Sequence, residues 1–137
     1  MYNSAMLKKA WLWKSLAFVV AAAGTLVYRS SLCNMIFRCG CQSALAAAGA
    51  FCNIHGMQHL MANGVACPWC SHGAWGHNIP TGAILVAQAA VLFVPMNLSV
   101  RNRFLLSVAA FFVVGAAVGL VFALFSGYPV FLGIRLS

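Results

Sequence analysis

Residues 104–125 run without a single charged side chain, long enough for one α-helix to cross the roughly 30 Å hydrocarbon core of a bilayer. Two further stretches come close to the same standard. Residues 11–28 are apolar apart from a few small polar residues and Lys14, with Trp11 and Trp13 suited to the membrane interface and Lys14 able to snorkel toward it. Residues 79–98 carry no charge. The pattern predicts an all-α membrane protein with three transmembrane helices, at 11–28, 79–98 and 104–125. A Cys/His-rich segment, 29–78, separates the first from the second, and the whole of 1–137 forms a single membrane unit. The alternative is a fourth span within 43–66, which is apolar but holds Asn53, His55, Gln58, His59 and Asn63.

Charge sharpens this reading. Of the 137 residues, eight are Lys or Arg and none is Asp or Glu, a formal charge of +8. An ordinary soluble domain carries about 25% charged residues of both signs; here the figure is 6% and one sign only. The missing carboxylates exclude paired-acid glycosidases, Ca²⁺ and Mg²⁺ carboxylate cages, HExxH zinc hydrolases and carboxylate proton relays. Any site is therefore built from Cys, His, Met, hydroxyls, amides or backbone.

Positive residues in short loops are retained in the cytoplasm. With three spans and a cytoplasmic N-terminus, Lys8, Lys9, Lys14, Arg101 and Arg103 lie inside and Arg29, Arg38 and Arg135 outside, five against three. Four spans give four against four, so three spans are preferred, with Arg101-Asn102-Arg103 in a cytoplasmic turn and the Cys/His-rich segment extracytoplasmic or re-entrant. The three lysines ahead of Ala21-Ala22-Ala23 have the form of a signal peptide; we read this segment as a retained anchor. Ala44–Ala50 suits a short helix against the membrane.

Every cysteine (33, 39, 41, 52, 67, 70) and every histidine (55, 59, 72, 77) falls between Cys33 and His77. An extracytoplasmic segment rich in cysteine suggests disulfides, but that leaves the histidines unexplained. Cys52-Asn53-Ile54-His55 and Cys67-Pro68-Trp69-Cys70 form two short knuckles whose gaps allow Cys52, His55, Cys67 and Cys70 to surround one tetrahedral ion, zinc first and copper second. Between the knuckles His55, Met57, His59 and Met61 alternate, a soft set for Cu(I), although Met57 and Met61 serve equally as apolar filler. Cys33, Cys39 and Cys41 offer a second cluster. Cys39 and Cys41 are too close in sequence to join each other easily.

Cys67 and Cys70 also read as a redox C-x-x-C pair. If Pro68 opened a short helix, its N-terminus would lower the Cys67 pKa and make the thiol reactive. His72 and His77 flank Trp75 before the second span and could bind haem or a pigment, but C-x-x-C-S-H is not the c-type attachment sequence, and wet interfacial histidines explain them better.

Gly115 and Gly119 form a G-x-x-x-G that admits a close helix, from this chain or another subunit. The scattered cations lack the dense face that nucleic acid requires and suit anionic lipid instead. Together these features predict a small membrane accessory or structural subunit with a transition-metal site. The alternatives are a membrane thiol–disulfide oxidoreductase using Cys67 and Cys70, and a copper chaperone or transport subunit.

Overall fold

The computed structural model describes residues 4–39, 67–71 and 73–136. Among them the chain forms helices α1 (Ser4–Phe37), α2 (Pro68–Ser71), α3 (Gly73–Phe93) and α4 (Val100–Ser126), then a small hairpin of β1 (Val130–Phe131) and β2 (Ile134–Arg135). Over Lys8–Phe37 and Val100–Ser126 the chain is long and apolar enough to cross a membrane, whereas the apolar part of α3, Asn78–Phe93, is shorter.

The helices depart from the expected spans at their ends. The first was expected over 11–28, but α1 runs for 34 residues, about 51 Å of rise. Hydropathy marks where a helix meets lipid and not where it stops, and neither Lys8, Lys9 nor Arg29 is a helix terminator. The second was expected to reach residue 98, but α3 ends at Phe93. Pro95 cannot donate a backbone bond and biases the residue before it away from helical geometry. The third begins at Val100, because Ser99 takes extended backbone (φ −63°, ψ 154°) and its hydroxyl accepts from the Asn102 N–H at 3.3 Å. Arg101, Asn102 and Arg103 thus form the first turn of α4 and not a loop. The terminal hairpin is a small β addition to the expected all-α fold. Its two-residue turn has positive φ at Leu132 (48°) and Gly133 (82°), as a type I′ turn requires.

Packing is set by small and polar residues at every fourth position. On α4 the buried residues are Arg103, Ser107, Phe111, Gly115, Gly119 and Ala123. A Cβ on Gly115 would collide with the Leu32 side chain, and one on Gly119 would lie 3.0 Å from Ile36 Cγ2, so the G-x-x-x-G face is packed on α1 of the same chain. Leu32 beside Gly115 and Ile36 beside Gly119 advance together, so α1 and α4 run parallel. Between them α3 returns antiparallel. At its centre the buried Gln88 carboxamide accepts from Thr25 Oγ1 at 3.1 Å and donates to Ser107 O at 3.3 Å, joining α1, α3 and α4 by polar contacts.

This order puts the Lys-rich start of α1 and the α3–α4 connection at one end of the bundle. Phe18 meets Phe93 there, with ring centroids 5.9 Å apart. The α3–α4 connection is held by Arg103, only 3% exposed. Its guanidinium donates to Leu92 O (3.0 Å), Val94 O (2.6 Å), Leu98 O (3.2 Å) and Met96 O. It therefore serves carbonyls left over where α3 stops and the chain turns.

Candidate metal centre

The opposite end of the bundle is assembled where α1 stops. Arg38 adopts φ 52° and its N–H donates to Asn34 O at 2.7 Å, a left-handed cap that turns the chain out of the helix. Two further α1 carbonyls are taken by the C-terminal segment: Leu132 N–H donates to Ile36 O at 2.7 Å and the Tyr128 hydroxyl donates to Phe37 O at 3.1 Å. Gly133 makes room for this closure, since a Cβ there would stand 2.7 Å from the Arg38 guanidinium. The turn at Arg38 returns Cys39 toward Cys33 on the last turns of α1.

The third sulfur arrives from α2. Pro68 opens that single turn, whose missing N–H costs nothing at a helix start. Gly76 of α3 lets it approach, because a Cβ at that position would lie 2.5 Å from Trp69 O. Phe37 then meets Trp69 and Tyr128 edge to face, at 5.6 and 5.3 Å between centroids, and all three rings are buried.

Inside this shell Cys33 Sγ lies 3.3 Å from Cys39 Sγ and 3.3 Å from Cys67 Sγ. All three sulfurs fall within 4.8 Å of one another, and all three residues are buried. The two 3.3 Å separations exceed the about 2.05 Å of a disulfide. They lie somewhat inside the about 3.8 Å between thiolates that share an ion through 2.3 Å bonds at a tetrahedral angle. Small side-chain rotations would open the group around an ion, so the donor set fits a thiophilic metal.

At Cys67 the hydrogen bond with Cys33 favours the thiolate. The bond with Cys39, burial and the charge of Cys39 oppose it, and the Trp69 main-chain N–H favours it again; the net result is a thiol pushed up from 9.0 to about 12. The direction is the reverse of what a helix N-terminus alone would give: among the raising causes the hydrogen bond with Cys39 comes first and burial second. A bound cation would reverse that balance, because it replaces the proton and stabilises the thiolate. The Trp69 indole N–H, two residues from Cys67, is buried without a partner among the described residues.

Of the residues singled out by spacing, Cys67 is in the cluster, Cys70 lies on α2 and His77 on α3. Cys41, Cys52, His55, Met57, His59, Met61 and His72 lie outside the described residues. Cys33 and Cys39, expected in a separate cluster, are the described partners of Cys67. Their only sequence signal was position, one before and one after the end of a long helix. Comparison with known protein families, with characterised proteins and with solved structures finds no match for this chain.

Proposed function

We propose that this chain is a small integral membrane subunit whose Cys33, Cys39 and Cys67 thiolates hold a soft transition-metal ion, zinc first and Cu(I) second, as a structural clamp within a larger membrane assembly. The observation that carries this is the placement of Cys33 Sγ 3.3 Å from both other sulfurs inside a buried aromatic shell. Such a group suits a resident ion better than a reactive centre, since a reactive thiol needs exposure and a lowered pKa. Zinc asks for a fourth donor, and the sequence spacing nominates Cys52, His55 or Cys70. Cu(I) is content with three sulfurs.

Membrane insertion is supported by an inverted surface. Val86, Val113, Leu124 and Phe125 are 65–90% exposed while Thr25, Gln88, Arg103 and Ser107 are buried, a distribution that is costly in water and natural in lipid. The positive count then favours a cytoplasmic N-terminus, with the cysteine cluster on the far side.

The test is elemental analysis of protein purified anaerobically without chelator. About one zinc or copper per chain is expected, falling below about a tenth in Cys33→Ser and surviving His77→Ala, which keeps all three sulfurs. Binding should weaken as pH falls, because protons compete for the thiolates. A metal-free wild type with Cys33 disulfide-bonded to Cys39 or Cys67 would overturn the proposal and favour thiol–disulfide chemistry.

A further inference from the structure

Along one flank of the bundle, from Val20 and Phe104 up to Leu32 and Met35 beside Cys33, α1 and α4 leave a cleft of about 420 Å³. This is within the size range of small-molecule sites. One wall is α1 from Val20 to Met35, about 22 Å of rise, and the other is α4 from Phe104 to Phe112. The polar atoms at its floor are already used: Thr25 Oγ1 and the Gln88 carboxamide bond to each other and to Ala21 O and Ser107 O. Apart from the Tyr28 and Ser31 hydroxyls the rest of the lining is apolar, which suits a hydrocarbon chain better than a polar ring.

Two cations stand beyond the end of the cleft that Val20 and Phe104 mark. Lys14, Ala21, Tyr28 and Met35 stand seven residues apart and share one face of α1. On α4, Arg101 precedes Phe104 by one turn and lies on the same side. Because α1 and α4 run parallel, Lys14 and Arg101 sit at the same end of the cleft. Arg103 is committed to the carbonyls of α3, whereas Arg101 is exposed. The chain holds no Asp or Glu, so the counter-charge for this pair comes from outside it.

We infer that the α1–α4 cleft seats one anionic phospholipid of the bilayer, its phosphate at Lys14 and Arg101 and one acyl chain laid along α1 toward Met35. The phosphate end of this site lies at the opposite end of the bundle from the cysteine cluster, and the acyl chain runs toward it.

Gly24 supplies a clean probe, because it lines the cleft and a Cβ there meets nothing within 4 Å. Gly24→Phe fills the space with an added ring, and Val108→Trp does so from the opposite wall. Gly82→Phe, on α3 and equally open, is the control. The experiment is native mass spectrometry of the full chain, released from nanodiscs with equal phosphatidylglycerol and phosphatidylcholine. Wild type and Gly82→Phe are expected to retain one phosphatidylglycerol per chain, at least fivefold over phosphatidylcholine. Gly24→Phe and Val108→Trp should each lose retained lipid by about tenfold. Lys14→Gln with Arg101→Gln should bring the two lipids to equal retention. Equal retention of both lipids by wild type, retention of a neutral isoprenoid in their place, or unchanged retention in both filled variants would overturn the inference.

Discussion

Arg103 ties one end of the bundle by donating to four main-chain carbonyls between Leu92 and Leu98, while the other end gathers three thiols within 4.8 Å under Phe37, Trp69 and Tyr128. At the first end a fixed cation satisfies fixed acceptors, and the arrangement is complete as it stands. At the second the hydrogen bonds among sulfurs are weak, a buried indole N–H is unpartnered among the described residues, and the Cys67 thiol is pushed up to about 12. The contrast separates a polar knot built for stability from one whose chemistry an ion would complete.

Removal of the central sulfur should have the largest effect. Cys33→Ser should abolish metal loading and forfeit much of the apparent binding free energy, about 10–16 kcal/mol for structural zinc near neutral pH. Thermal unfolding in detergent, with and without chelator, should then give the same midpoint for the variant but two for wild type. If chelator leaves wild type unmoved, the thiol end is as self-sufficient as the arginine end.

At the arginine end, Arg103→Leu strands four carbonyls and should destabilise by about 4–6 kcal/mol, since hydrogen bonds to charged groups contribute roughly 1.5–3 each before relaxation. Arg101→Leu, on the same helical turn but exposed, should change stability by less than about 0.5 kcal/mol. Similar losses in both would mean that the guanidinium serves the interface and not the carbonyls.

Thiol reactivity sharpens the other side. In metal-free protein at pH 8, a Cys67 pKa of about 12 in place of 9.0 lowers its thiolate fraction by about a thousandfold, so alkylation should be slower by that order than for an unfolded control. The folded state holds this proton more tightly, so its stabilising contribution is full below pH 9 and lost as pH rises toward 12. Mass mapping of alkylated peptides checks the site directly, and rapid labelling of Cys67 would count against a closed cluster.

The smallest effect concerns the seam that joins the two ends. Gly115→Ile should cost about 1–3 kcal/mol by overpacking against Leu32, with the larger share of damage at the thiol end, because Ile36 and Phe37 follow Leu32 on α1. Gly82→Ala, where nothing lies within 4 Å, should instead stabilise by about 0.5–1 kcal/mol. Denaturation in one detergent at fixed concentration would rank the two.

Much of this architecture could be read from contiguous residues. The uncharged run at 104–125 and the Gly115–Gly119 spacing both lie on single helices, where hydropathy and the four-residue repeat operate over neighbours in sequence. Spans drawn by hydropathy at 79–98 and 104–125 missed the helix ends, although two of them carry a local signal. Ser99 with Asn102 marks the start of α4 and Pro95 the end of α3, whereas charges such as Lys8 and Arg29 leave α1 unbroken. Arg103 entered the sequence argument as one positive charge among five. Its role as a cap depends on α3 stopping at Phe93 and the chain turning back, so that Leu92, eleven residues earlier, presents its carbonyl to the guanidinium, a relation that hydropathy does not express.

By itself, then, the sequence determined where the chain is apolar enough to cross a membrane and the kinds of chemistry open to it, because the uncharged runs, the absence of Asp and Glu and the confinement of Cys and His to 33–77 are properties of composition and order. Only the tertiary structure decided that Cys33, Cys39 and Cys67 meet. Spacing grouped Cys67 with Cys52, His55 and Cys70; among the described residues Cys67 meets Cys33, 34 positions away, through the close seat of α2 on Gly76, and the left-handed turn at Arg38 returns Cys39 to the same place. Each of those depends on surfaces far apart in the chain, and packing free energy, not local propensity, selects among the pairings that local spacing allows.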